Sequence, residues 1–126
     1  KVNDTYGHAV GDCVLKNVAR TIKKELREND IPSRYGGEEF AILLPYTTLE
    51  EASLVAQRLR AAIEKKKINI EEYNIDGVKQ LSVTISVGVS IYDKSMKEPD
   101  MLYQNADKAL YEAKEGGRNR VVVYKP

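Results

Sequence analysis

The sequence predicts an α+β fold in which one antiparallel sheet carries helices on one or both faces. Two observations support this prediction. Helical and strand patterns alternate along the 126 residues, and two short stretches flank Gly36 and Gly37 as the strands of a hairpin, the second of them apolar. A chain of this length forms one domain with a single hydrophobic core, so residues 1–126 are expected to be one domain.

The first helix is predicted from Asp12 to Leu26. Its apolar side chains recur at the spacing of one helical face: Val14, Leu15, Val18, Ala19, Ile22 and Leu26. Pro32 is expected to end this helical stretch, because proline lacks the backbone N–H that a helix needs. The single cysteine, Cys13, lies within the helical pattern and is interpreted as a packing residue rather than a nucleophile.

The hairpin strands are predicted at Ser33–Tyr35 and Glu39–Pro45. Thr47 and Thr48 each precede a glutamate by three residues, which is the pattern of a capping box and predicts the start of the second helix. The expected buried face of that helix is Leu49, Ala52, Val55, Ala56, Leu59 and Ile63. The basic run Lys65–Lys67 ends the helix and is interpreted as a solvated face.

The next strand is predicted from Leu81 to Ile91, where apolar and small polar residues alternate as in a half-buried strand. Before it, Asp76-Gly77 indicates a hairpin turn, while the shape of residues 66–80 is left open.

The last helix is predicted to be capped by Asp100 and to end at Gly116-Gly117. A short final strand is expected from Val121 to Tyr124.

Composition excludes several classes of protein. Charged residues make up 31% of the chain but nearly balance, with a formal net charge of +1, which argues against a strongly basic nucleic-acid-binding protein. No apolar stretch reaches membrane-spanning length, and the sequence shows no signal peptide. We therefore expect a domain in the cytoplasm that makes no direct membrane contact.

The segment Gly36-Gly37-Glu38-Glu39-Phe40 gives the most information about function. Two glycines favour a tight turn that a phosphate or ribose can approach closely, and two carboxylates follow where the chain enters a strand. Carboxylates beside substrate phosphates suit a hard divalent cation. The alternative interpretation is a β-hairpin with a charged tip.

These residues resemble the GGDEF domain of diguanylate cyclases, in its GGEEF variant. Three further stretches agree in order with that family: Asn3 to His8 followed by Gly11-Asp12, then Arg27-x-x-Asp30, and the C-terminal stretch from Asp107 to Lys114 with Gly117 to Val121. The resemblance spans nearly the whole chain. It implies the palm-type, ferredoxin-like sheet of nucleotidyl cyclases.

The resemblance also implies an activity. The family condenses two GTP molecules into cyclic di-GMP and releases two pyrophosphates, as the 3′-hydroxyl of one GTP attacks the α-phosphorus of the other. By this resemblance Glu38 and Glu39 are the catalytic residues and the metal ligands, for Mg²⁺ or alternatively Mn²⁺. Each half-site holds one GTP, so a homodimer is expected for catalysis.

The substrate-binding residues follow in the same way. The resemblance makes Asn3 and Asp12 the guanine-binding residues, and it makes Lys114 and Arg118 the triphosphate clamp. The remaining substrate-binding candidates are Gly36 and Gly37, whose backbone approaches the nucleotide, and His8. Five of these residues have a structural alternative: a turn residue for Asn3, a first-turn carboxylate for Asp12, ordinary helix-end cations for Lys114 and Arg118, and a turn or packing residue for His8.

Arg27 and Asp30 match the inhibitory RxxD motif of the family, which binds the product cyclic di-GMP. The resemblance implies product inhibition at a separate site, with Arg58 of a neighbouring molecule as a further contact. The structural alternative is an ion pair at the helix end.

The family carries a metal-binding aspartate on a strand that precedes the position of Asn3, whereas this chain begins at Lys1. We therefore expect an N-terminally truncated domain of a longer polypeptide, with regulatory domains elsewhere in it and a parent that could be membrane-anchored. Two other functions stay open: a catalytically silent module that senses cyclic di-GMP or GTP, and a domain that only dimerises or docks.

Overall fold

The structure is a computed structural model that describes residues 5–36 and 39–126. Its elements in chain order are α1 (His8–Glu25), β1 (Ile31–Gly36), β2 (Glu39–Leu43), α2 (Leu49–Lys65), β3 (Ile68–Asn69), a 3₁₀ turn (Glu71–Tyr73), β4 (Gln80–Leu81), β5 (Val87–Val89), α3 (Asp100–Glu115) and β6 (Val121–Val123). No helix in these described ranges has the length and apolar character needed to cross a membrane.

The strands of the described residues pair two by two. β1 with β2 and β3 with β4 are antiparallel, while β5 and β6 run parallel. The parallel ladder differs from the all-antiparallel sheet predicted from the sequence. Its cause is the connection, since α3 lies between β5 and β6 and a strand–helix–strand crossover returns the chain in the same direction.

Helix α1 begins and ends earlier than predicted. It starts at His8, with Gly7 at φ 90° as its N-cap, and it ends at Glu25. Pro32 does not end it but lies inside β1, opposite Ile42. Proline is tolerated there because, among the described strands, β1 pairs only with β2 and one of its edges needs no ladder hydrogen bonds.

Helix α2 begins with the capping box predicted from Thr48 and Glu51. The Thr48 side chain accepts from the Glu51 N–H at 3.1 Å, and Glu51 Oε1 accepts from the Thr48 N–H at 2.9 Å. Thr47 does not cap the helix, since its hydroxyl contacts Arg27 instead. The predicted inner face is confirmed most strongly at the buried Ala56, Leu59 and Ile63.

Residues 66–80, whose shape the sequence left open, form a small hairpin. Ile68 pairs with Leu81, and the turn contains Asp76-Gly77 as predicted, with Gly77 at φ 72°. Ile68 and Ile70 are fully buried. The segment therefore contributes to the core beside α1 and α2.

The predicted strand from Leu81 to Ile91 appears as two short pieces, β4 and β5. Its alternation is nevertheless present in residues 81–85, where the apolar side chains pack against the core and Ser82 and Thr84 are exposed. Alternation determines which face is buried, but a ladder also requires a partner strand. Among the described residues, no strand pairs with residues 82–86.

Helix α3 packs closely against β5. A Cβ atom added at Gly88 would collide with the Ala106 carbonyl oxygen and the Leu110 backbone, so only glycine permits this approach. Asp100 is the first residue of α3 rather than its cap, which is Pro99. The helix ends at Gly116 as predicted.

Candidate active site

The hairpin of β1 and β2 carries Glu39, one of the two carboxylates predicted at its tip. Glu39 is the first residue of β2 and pairs with Gly36, the last residue of β1. The ladder shifts register between Arg34 and Gly36, which indicates a bulge next to the tip. The extra residue of this irregularity lies in β1, so Glu39 follows Phe40 without a break in β2 and lies directly opposite Gly36 beside the tip.

Lys114 reaches this tip from the last turn of α3. Its Nζ atom lies 3.8 Å from Glu39 Oε2, and the two side chains are 37% and 43% exposed. An exposed ion pair of this kind contributes at most about 1 kcal/mol to stability. The pair therefore matters for where it places its groups more than for stability. It brings a cation and a carboxylate together on a surface that a ligand can reach.

Arg118 lies just beyond the end of the same helix. Its backbone N–H donates to the Ala113 carbonyl oxygen at 2.9 Å, and its φ of 63° is left-handed. The residue is exposed. A guanidinium placed here can bind phosphate oxygens with two parallel hydrogen bonds, whereas Lys114 provides a point charge.

His8 and Asp12 are exposed residues of α1. Because the helix begins at His8, Asp12 lies beyond its first turn, and the described first turn contains no acidic residue. The first-turn interpretation of Asp12 is therefore wrong. A hydrogen bond with Cys13, followed by burial, raises the pKa of Tyr73, and the Asp12 carboxylate adds to that rise. The segment 66–80 thus places a tyrosine beside the end of α1 that carries Asp12.

Three predicted residues, Asn3, Gly37 and Glu38, lie outside the described residues, and their roles stay predictions. Within residues 5–36 and 39–126, no three acidic, histidine or cysteine side chains form a metal-binding cluster. Glu39 is the described carboxylate at the tip. An oxygen ligand of this type, next to bound phosphates, fits the donor chemistry of a hard divalent cation.

Arg27 and Asp30 form a second constellation at the other end of the hairpin. Asp30 immediately precedes Ile31, which pairs with Leu43, so the pair lies at the base of the strands whose tip carries Glu39. Five residue steps along β1 correspond to roughly 16 Å. The two constellations are therefore separate.

The contacts of Arg27 are well defined. Its Nη2 donates to Asp30 Oδ1 at 2.9 Å and to Thr47 Oγ1 at 2.6 Å, and its backbone N–H donates to Asp30 Oδ2 at 2.9 Å. The Asp30 side chain is 1% exposed, whereas that of Arg27 is 53% exposed. The hydrogen bond from the Arg27 side chain lowers the pKa of Asp30 below its usual range, against the effect of burial. Asp30 thus holds an exposed guanidinium in place.

Arg58 contacts the end of α1. Its Nη2 donates to the Glu25 carbonyl oxygen at 3.0 Å, and its Nε lies 3.3 Å from Glu25 Oε1. The contact satisfies an otherwise free carbonyl of the helix end. Its assignment to the product site of a neighbouring molecule stays a prediction.

The sequence reasoning missed three residues near the loop that follows α3 and contains Arg118. Asn119, which follows Arg118, is bound by Arg60 and Glu64 of α2. Asn119 was part of the C-terminal resemblance but received no role. Arg60 and Glu64 gave no functional signal, because an arginine and a glutamate four residues apart on a helix are usually a solvated ion pair.

Comparison with known proteins adds family information. A family model described as "Diguanylate cyclase, GGDEF domain" matches residues 1–120. Diguanylate cyclase A of Treponema denticola is 48% identical over 124 residues, which are 98% of this chain and 32% of that protein. The probable diguanylate cyclase DgcT of Escherichia coli is 46% identical over 123 residues, which are 98% of this chain and 26% of that protein. The chain thus spans about a third or less of these relatives.

Solved structures give the same picture. The diguanylate cyclase SiaD of Pseudomonas aeruginosa, solved in complex with its activator SiaC, has a TM-score of 0.86 and 41% identity, covering 97% of this chain and 44% of that one. The GGDEF domain of DgcB from Caulobacter crescentus, solved in complex with c-di-GMP, has a TM-score of 0.88 and 30% identity, covering 98% and 68%. These neighbours confirm the predicted α+β, nucleotidyl cyclase-like fold.

Proposed function

This chain belongs to the GGDEF-domain family of diguanylate cyclases, and we propose that it is the catalytic domain of an enzyme that condenses two GTP molecules into cyclic di-GMP. Each bond would form when the 3′-hydroxyl of one GTP attacks the α-phosphorus of the other, with loss of pyrophosphate. The reaction must bring an alcohol oxygen against a polyanion, so the site must supply compensating positive charge and hold both groups in line.

One observation carries the proposal: Lys114 and Glu39 meet at the hairpin tip, 3.8 Å apart. The ammonium of Lys114 would bind the triphosphate, and the Glu39 carboxylate beside it would be a ligand of the divalent cation. Arg118, one turn beyond Lys114, would grip the same phosphates through its planar fork.

Base recognition is assigned to the start of α1. A carboxylate such as that of Asp12 can accept from the N1–H and the exocyclic amino group of guanine together. Adenine lacks that pair of donors and would leave the carboxylate unpaired, at a cost of about 1–3 kcal/mol in a desolvated pocket. Asn3 and His8 complete this part of the proposed site.

Glu38 and Glu39 would hold a divalent cation, Mg²⁺ or alternatively Mn²⁺. When bound, such a cation supplies positive charge at the phosphates and lowers the pKa of the attacking hydroxyl. Gly36, at the end of β1, would leave room for the nucleotide next to the backbone.

The proposed enzyme acts as a homodimer, because the product consists of two equivalent halves and each domain would hold one GTP. Two domains facing each other about a two-fold axis place each hydroxyl against the other's α-phosphorus. Cyclic di-GMP would bind back at Arg27 and Asp30, with Arg58 of a neighbouring molecule, and inhibit the enzyme.

The test is a turnover assay on the whole protein with GTP and Mg²⁺. We expect cyclic di-GMP and two equivalents of pyrophosphate, and we expect Glu38→Ala to abolish both. A matched control is Glu50→Ala, which removes an exposed glutamate from α2. Turnover that persists in Glu38→Ala would refute the role given to Glu38, and a wild-type protein without turnover would refute the catalytic proposal.

A second candidate is a silent module that senses cyclic di-GMP. The assembled Arg27–Asp30 pair favours it, because its exposed guanidinium is already held for a ligand. Calorimetry with cyclic di-GMP, beside the pyrophosphate assay, separates the two functions: a sensor would bind the dinucleotide without releasing any pyrophosphate from GTP.

A further inference from the structure

The side chain of Asn119 joins the loop after α3 to α2. Arg60 Nη1 donates to Asn119 Oδ1 at 2.9 Å, and Asn119 Nδ2 donates to Glu64 Oε2 at 2.7 Å. Arg60 Nη1 also lies 3.1 Å from Glu64 Oε1. Both ends of the amide are engaged by groups of opposite character, so rotating the amide by half a turn would break both bonds. The amide therefore has a single orientation.

The backbone next to this amide has an unusual conformation, with three successive positive φ angles. Gly117, Arg118 and Asn119 follow one another with φ values of 120°, 63° and 46°. The left-handed region is open to glycine and tolerated by asparagine, but it is disfavoured for arginine. Arg118 keeps this conformation only if surrounding contacts hold it.

Contacts on both sides of Arg118 supply that restraint. Its N–H donates to the Ala113 carbonyl oxygen at 2.9 Å, and its own carbonyl oxygen accepts from Arg120 Nε at 3.0 Å. The next side chain in sequence is Asn119, anchored on α2. The backbone of Arg118 is thus fixed on both sides, while the residue itself is exposed.

We propose that Asn119, held by Arg60 and Glu64, is a positioning residue that aims the Arg118 guanidinium at the nucleotide phosphates. This inference rests on the proposed function, in which Arg118 grips the triphosphate. Hydrogen bonds from Asn119 and then from Arg60 lower the pKa of Glu64. Glu64 therefore remains an anionic acceptor at neutral pH, as the network requires.

A chemical swap tests the network. Asn119→Asp replaces the donor that faces Glu64 with a carboxylate oxygen and places two negative groups against each other. Adding Glu64→Gln to it restores the contact with the donor reversed, since the glutamine amide can donate to the aspartate. In both variants Arg60 still has an acceptor at each partner.

The readout is GTP binding to the whole protein, measured by calorimetry at a fixed Mg²⁺ concentration, with the melting temperature recorded beside it. We expect Asn119→Asp to weaken GTP binding about tenfold and the double swap to recover most of that loss. The matched control is Asn74→Asp, the same change at an exposed left-handed residue with φ 53° that follows the 3₁₀ turn. It should leave GTP affinity unchanged.

A double-mutant cycle with Arg118→Ala separates positioning from general stabilisation. If Asn119 acts through Arg118, Asn119→Asp has no further effect on GTP affinity once Arg118 is removed. Equal effects in both backgrounds would overturn the inference, as would an Asn119→Asp protein that binds GTP like the wild type. If Arg118→Ala itself leaves GTP affinity unchanged, there is no clamp to position and the inference also fails. A wild-type protein that binds no GTP would instead refute the proposed function.

Discussion

Lys114 at the end of α3 and Glu39 at the start of β2 place an ammonium and a carboxylate 3.8 Å apart. Each side chain is partly exposed. The pair joins two of the segments that resemble the family, the hairpin tip and the C-terminal stretch. Their approach is the structural basis for treating these segments as one site.

We predict that Lys114→Ala weakens GTP binding more than it slows turnover, because a point charge on the triphosphate acts in both the ground state and the transition state. We expect KM for GTP to rise about tenfold, which corresponds to the loss of one charge-assisted hydrogen bond. Steady-state kinetics on the whole protein measure this. Lys108→Ala, which removes an exposed lysine of the same helix, is the matched control. An unchanged KM in Lys114→Ala would remove this lysine from the clamp.

The Arg27 guanidinium is predicted to control product inhibition. Arg27→Ala should raise the cyclic di-GMP concentration that halves the activity by about 10- to 100-fold, as expected when charged hydrogen bonds to a phosphate are lost. The rate without product should change little, since Arg27 lies at the base of the hairpin and Glu39 at its tip. Arg20→Ala, at an exposed arginine of α1, provides the control. Inhibition curves that coincide for Arg27→Ala and the wild type would exclude this site.

Asp30 is predicted to make folding stability depend on acid pH. The Arg27 side chain lowers the pKa of Asp30 in the folded protein. A carboxyl with a lowered pKa stabilises the fold fully above its unfolded pKa of about 3.9, and this contribution disappears as the pH falls through the folded pKa. Urea unfolding at neutral pH should show that Asp30→Asn costs about 1–3 kcal/mol.

That cost should shrink as the pH falls below about 4, because the unfolded wild type then takes up a proton at Asp30, and it should vanish once the pH falls below the lowered pKa of Asp30 in the folded protein. Asp76→Asn, at an exposed turn residue, is the control and should show no such convergence. A constant difference between Asp30→Asn and the wild type from neutral to strongly acid pH would contradict the assignment.

Gly88 is predicted to be required by packing rather than by chemistry. A methyl group there would meet the backbone of α3 at Ala106 and Leu110, and backbone atoms cannot turn away as a flexible side chain can. Gly88→Ala should therefore destabilise the fold by about 1–3 kcal/mol or more.

The comparison is Gly77→Asn, at a left-handed turn glycine with open space around it. Asparagine tolerates that backbone region, and we expect a change of about 0.5 kcal/mol or less. Thermal melts of both variants measure the difference, and a Gly88→Ala protein as stable as the wild type would mean that α3 can move away from β5.

Local features of this protein were predictable from its residues. The capping box of Thr48 and Glu51, the turn at Asp76-Gly77 and the end of α3 at Gly116 all depend on atoms a few positions apart. Helix faces were predictable for the same reason, since apolar residues that recur every three to four positions lie on one side of the helix. Pro32 misled the prediction because a proline excludes a helix interior but also fits an edge strand.

The resemblance of short stretches to the family identified the candidate site residues, but it did not show how the chain brings those stretches together. The approach of Lys114 to Glu39, the bond from Arg27 to Thr47 and the anchoring of Asn119 on α2 all join segments far apart in sequence. Periodicity carries no information about which distant face will be the neighbour, and the same residues are compatible with many chain paths. The packing of α3 on β5 and the return of the chain into β6 settle that path, and with it the positions of Lys114, Arg118 and Asn119.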